Sequence, residues 1–68
     1  MDSLFMSQKI VYQYDENGIY VGETLAEADQ VVPGNWLLPA RTTDERPPIF
    51  TGGKTPKWVG YKWKLVNQ

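Results

Sequence analysis

The chain has no cysteine and no histidine in its 68 residues. Without cysteine there is no disulfide framework, and without either residue the usual structural zinc site is excluded, so both common staples of very small domains are missing. The same absences remove the commonest general base, the thiol nucleophile and the soft-metal ligands. Acid–base chemistry would have to use carboxylates. No apolar run approaches the length of a membrane span, and the opening MDSLFMSQ carries an acid at position 2 with no basic n-region. No membrane partner, signal peptide or cofactor is expected, and the expected location is the cytoplasm of the producing cell.

The chain is rich in aromatics, at 13% of residues. Each can bury on the order of 150–250 Å², which suits either a thin core or a self-association surface. A chain of this length forms one domain and buries a smaller share of its surface than an ordinary domain. The charges are segregated. Residues 1–45 hold all eight acids against Lys9 and Arg41, a balance of −6, while residues 46–68 hold Arg46, Lys54, Lys57, Lys62 and Lys64 with no acid, a balance of +5. Either the halves fold together and neutralise one another, or the basic half meets anions, nucleic acid or an acidic partner.

In chain order, residues 1–8 form a flexible arm whose Leu4, Phe5 and Met6 could dock on a neighbour. A single small β module follows over 9–66, with 67–68 as a tail. KIVYQY (9–14) and IYVGET (19–24) flank Asp15-Glu16-Asn17-Gly18 and predict a β-hairpin. A four-residue loop there would set Tyr14 opposite Ile19 and Tyr12 opposite Val21, burying Ile10, Tyr12, Tyr14, Ile19 and Val21 and turning Val11, Gln13 and Tyr20 away. Thr24-x-x-Glu27 has capping-box spacing, so residues 24–29 predict a short helical turn or an irregular link. Pro33-Gly34 signals a turn before a short buried strand at Asn35–Leu38, in which Trp36 is a core candidate and Pro39 the stop. Pro47-Pro48 favour extended polyproline geometry across a surface.

PKWVGYKWKLV predicts a second hairpin, with Val59-Gly60 as a two-residue turn and Trp58 opposite Tyr61. Alternation then places Pro56, Trp58, Tyr61, Trp63 and Leu65 on one face and Lys57, Lys62 and Lys64 on the other. The rings are either a second wall of the core or an exposed platform for stacking on a sugar. A single-strand nucleic-acid groove needs rings and cations to converge, and here they sit on opposite faces. The expected fold is mainly β: an antiparallel sheet of four or five short strands in two hairpins, with at most one short helical turn.

Neither Asp15-Glu16 nor Asp44-Glu45 is forced to face a second carboxylate, and they read as solvated loop charges. Gly53-Lys54-Thr55 matches only the end of a phosphate-binding loop, since the first glycine would fall on Pro48 and Pro56 blocks the following helix. Catalysis is not expected.

The order of features resembles a small module of tailed-bacteriophage tail-fibre and tail-fibre-assembly proteins. It is carried by Val11-Tyr12 and Tyr14, Gly18-x-Tyr20-x-Gly22, Pro33-Gly34-x-Trp36-Leu37-x-Pro39-Ala40, Thr42-Thr43, Pro47-Pro48, and Trp58-x-Gly60-x-x-Trp63-x-Leu65-Val66. It spans about residues 10–66. The resemblance implies a non-enzymatic structural or assembly module acting by protein–protein contact, as a homo-oligomer or on a tail-fibre partner, and incorporation into a particle. Assembly factors of this kind continue into a longer charged segment, whereas this sequence stops at Gln68. Two other readings remain: a carbohydrate-binding module using exposed tryptophans, and a small regulatory protein holding a host or phage partner. Candidate contact residues are Phe5, Trp58, Tyr61, Trp63, Lys57, Lys62 and Lys64; Trp36, Pro47, Pro48, Gly18 and Gly60 are structural candidates.

Overall fold

The computed structural model describes residues 8–67, so Leu4, Phe5 and Met6 of the expected arm lie outside the described residues. Six strands form and, among the described residues, no helix: β1 (Gln8–Tyr14), β2 (Tyr20–Ala28), β3 (Trp36–Leu37), β4 (Thr42–Thr43), β5 (Lys54–Trp58) and β6 (Trp63–Asn67). Four of them make an antiparallel sheet in the order β3-β2-β1-β4, and β5 with β6 makes a second, two-stranded sheet. The chain is mainly β, as its alternating β-branched and aromatic runs require. At the margins, Gln8 begins β1 rather than ending an arm, and Asn67 closes β6 rather than opening a tail.

The first hairpin closes one residue tighter than the sequence suggests. Asp15 donates its N–H to the Ile19 carbonyl at 2.9 Å and accepts the Gly18 N–H at 2.8 Å. Its side-chain oxygen also takes the N–H groups of Asn17 and Ile19, at 2.8 and 3.0 Å. The acid therefore turns the expected four-residue loop into a three-residue one, with Gly18 at φ +86° in the left-handed position such loops demand. Tyr14 consequently faces Tyr20, and a bulge between Gln13 and Tyr14 carries Gly22 opposite Gln13 and Glu23 opposite Tyr12.

That shift, with uneven cover, overturns the expected burial. Val11, expected outside, is fully buried together with Ala26, while Ile10, Val21 and Leu25 are half-exposed. On the Val11 face, Ala26 pairs with Lys9 and Ala28 with Trp36, and the Lys9 Nζ lies 5.1 Å from the Trp36 ring centroid. The Lys9 and Trp36 side chains thus meet across β2, on the face where Ala26 lies buried. On the other face only the end carrying Tyr14 and Tyr20 is covered, by rings of the second sheet.

Residues 24–28 continue β2, so the capping-box spacing starts no helix. Asp29 ends the strand instead. Its carboxylate accepts the Val31 and Val32 N–H groups and the Asn35 side-chain amide, which closes the link to β3. The expected Asn35–Leu38 strand shortens to Trp36–Leu37; Trp36 is half-buried, and Leu37 and Leu38 are largely exposed. Beyond it, Arg41 at φ +58° turns the chain into β4, and an irregular run through half-buried Pro47 and exposed Pro48 leads to the Gly52-Gly53 turn and β5.

The second hairpin also reverses one residue later than expected. Trp58 pairs with Trp63, not Tyr61, and the Val59 N–H donates to the Lys62 carbonyl at 3.0 Å, leaving Gly60 and Tyr61 at the tip. Gly60 has φ +104°, the sign required of the first residue in a turn of the II′ class.

Candidate functional site

The two sheets meet where the tip of the first hairpin lies against β5. Trp58 donates its N–H to the Gly18 carbonyl at 2.7 Å, and Ile19 bridges Lys57. Pro56 is tolerated in the strand for the same reason. Trp58 turns its N–H away from β6, and by the two-residue period the Pro56 nitrogen also faces away from that ladder. Trp58 and Trp63 thus form a non-hydrogen-bonded pair, the kind in which side chains approach most closely. Their ring centroids are 5.3 Å apart at 65°.

Around this pair the rings interlock. Tyr14 stacks on Trp58 at 6.1 Å and meets Trp63 edge-on at 6.2 Å; Tyr20 meets Trp63 at 5.7 Å and Phe50 at 6.3 Å. Trp63 also donates from Nε1 to the Glu45 carbonyl at 2.7 Å, which ties the irregular 44–50 run to the cluster. Each such ring pair contributes about 0.5–1.5 kcal/mol beyond area burial, so these contacts clamp one sheet to the other. The rings pack on one another, one pair stacked and the others edge-on, rather than forming a flat exposed platform. Tyr61 is the exception: displaced into the turn, it is 74% exposed, with the Lys62 Nζ 5.6 Å from its ring.

Pairing places Lys57 directly opposite Lys64 on the face away from the tryptophans. Like charges so placed repel. The expected neutralisation between the halves does not supply a counter-charge: among the described residues the ion pair formed is Lys9–Asp44, 3.4 Å, and both partners belong to the acidic half.

The uncovered part of the larger sheet is the second surface. Ile10 pairs with Leu25 and Glu27 with Leu37 on one face, and all three apolar side chains are about half-exposed, at 51%, 50% and 53%. Glu23 and Glu27 flank Leu25 on this face. The strand edges beside it are open as well. Asp29 donates across to Asn35, so Glu27, Leu25 and Glu23 turn their backbone groups to the same side. β3 covers Glu27 and stops at Leu37; Pro39 has no N–H to continue it. On β1, β4 pairs with only Tyr12 and Gln13, which leaves the outer edge at Gln8–Val11 unpaired among the described residues.

Sequence reasoning missed this apolar row because it assigned Ile10 and Val21 to a covered face. The alternation was visible, but which face would be covered depended on where the second hairpin landed. Phe50 and the Glu45 carbonyl were also missed, since they lie in an irregular run with no periodic signal. Among the described residues two groups are shifted from their ordinary values. Burial, then Glu23, then Tyr12 push the Tyr20 phenol up, and the Asn35 amide, then the Val31 and Val32 N–H groups, hold the Asp29 carboxyl down.

Among the described residues there is no enclosed cavity, no group of three acids placed to hold a metal, and no helix long and apolar enough to cross a membrane. The fold and its surfaces define a small antiparallel β module that presents an open sheet face and a basic hairpin. No family model, curated protein or solved structure matches the chain.

Proposed function

We propose that this chain is a non-enzymatic structural or assembly module that works by protein–protein contact, of the kind used in bacteriophage tail fibres and their assembly. The supporting observation is the uncovered row of Ile10, Leu25 and Leu37 on a sheet whose neighbouring edges are open. Apolar surface contiguous with free strand edges is what a partner chain covers, by face packing or by adding a strand. The phage assignment rests on the order of motifs along residues 10–66, and with it goes residence in the producing bacterium with incorporation into a particle.

The test is capture from phage-producing cells with the wild-type protein and with Ile10→Lys and Leu25→Lys as controls, the retained proteins being identified by mass spectrometry. A tail-fibre component, or the chain itself, held by wild type and lost with either lysine variant is the expected result. Retention unaffected by both substitutions would remove the apolar row from the mechanism. Retention of glycans in place of proteins would move the function to carbohydrate binding through Tyr61 and the tryptophans.

A further inference from the structure

We propose that the lysine face of the β5–β6 hairpin docks head to tail on the Glu23–Leu25–Glu27 stripe of a second copy of this chain. This rests on the protein-contact reading above and names its partner. Lys57 and Lys64 stand directly across from one another, Lys64 is exposed, and no acid of the described residues pairs with either. Two cations held side by side by the tryptophan pair on the opposite face are repulsive until an anionic group arrives.

The chain holds the complementary surface but does not pair it with its own lysines. Glu23 and Glu27 are exposed and flank half-exposed Leu25; Glu27 is held by the Gln8 side-chain amide at 2.8 Å rather than by a cation. Lys57 is fixed beside Ile19 by the bridge between the sheets. Glu23 and Glu27 lie four and eight residues further along β2, roughly 13 and 27 Å at about 3.4 Å per residue. A lysine side chain cannot span the longer gap, and the strand between is extended. Among the described residues neither Glu23 nor Glu27 forms an ion pair within its own chain, so the acids of one copy are free to meet the lysines of another. Around the charges, half-exposed Leu25 and Ile10 on the acidic face supply apolar area to be covered. Because the two patches differ, the contact is heterologous: repeated, it builds a ring or a linear array rather than a closed two-fold dimer.

The test is light scattering of the purified full chain in low and high salt, with charge-swap variants. Wild type should show a mass above the monomer at low salt, and its association should weaken on the order of tenfold or more when salt shortens the screening length below the ion-pair distances involved. Lys64→Glu should be monomeric yet keep or raise its melting temperature, because it replaces the Lys57–Lys64 repulsion with an attractive pair; simple unfolding could not produce both results. Glu23→Lys should also be monomeric, and mixing it with Lys64→Glu should restore the higher mass. If wild type associates and the charge variants associate equally, this docking mode is wrong while the protein-contact function stands. Should wild type remain monomeric at all salts and capture no protein from phage-producing cells, both fall together.

Discussion

Gly18 meets two demands that no other residue satisfies together. Its φ of +86° lies in the left-handed region, and a Cβ built on it would sit 2.6 Å from the Trp58 carbonyl oxygen. Gly34 has nearly the same φ, +85°, but open space around it. Alanine at Gly34 should therefore cost only the conformational penalty, about 1–2 kcal/mol. Alanine at Gly18 must add displacement of β5 to that, so its urea midpoint should fall clearly further; equal midpoints would mean that the hairpin tip does not seat on β5. Asp29 offers a pH test at the same scale. Its folded pKa is depressed, so its contribution is fully present above the ordinary carboxylate value and is lost as pH falls through the lower folded one. The Val31 and Val32 amide resonances should shift in that acid window, and Asp29→Asn should abolish the shift. Tyr20 behaves oppositely: its raised pKa keeps its contribution in place below the ordinary phenol value, with loss as pH rises through the folded one.

At the scale of elements, both hairpins were legible because apolar alternation and Gly-containing turns mark strands and reversals together. The registers were not. A side chain such as Asp15, which bonds to its own turn, changes loop length without changing composition, and Gly60 can serve a turn as its first or its second residue. In the second hairpin the slip preserved parity, so Pro56, Trp58, Trp63 and Leu65 still share a face and Lys57 and Lys64 the other, while Tyr61 left for the tip. For the larger sheet the alternation of β1 was read correctly, but the shorter loop and the bulge bring Tyr20, expected to turn away, onto the Tyr14 face; coverage was not read, because it is a long-range outcome that no local pattern encodes. The Trp58–Trp63 pair supplies the check. Close indoles at a large interplanar angle couple their transitions, so far-ultraviolet circular dichroism should show an exciton couplet that Trp63→Phe removes. The same substitution loses the Nε1 bond to Glu45 and should cost about 1–2 kcal/mol. Alanine at Trp63 should approach about 3 kcal/mol, and at Trp36, which packs only at an edge strand, about 1–2 kcal/mol, both below the range for fully buried tryptophan.

The whole molecule is elongated, 44 × 21 × 15 Å, and the described residues include just three fully buried apolar residues, Val11, Ala26 and Pro56, beside twelve large apolar ones that are substantially exposed. A chain so arranged has few internal sources of stability. Ring contacts join the sheets, backbone ladders hold each one, and no disulfide supplements them. Much of the remaining driving force lies on surfaces that only another chain can cover, so folding and association should be linked. The linkage is measurable without knowing the partner. If copies of this chain cover one another, the unfolding free energy contains an association term that grows with protein concentration, by up to about 1.4 kcal/mol per tenfold for each contact per chain. Urea titrations across a hundredfold concentration range should then show the midpoint rising with concentration for wild type. For Lys64→Glu it should stay constant, since that variant keeps the fold and loses the contact. A concentration-independent midpoint for wild type would mean that the isolated chain is self-sufficient, and that the exposed apolar row is matched to a different protein.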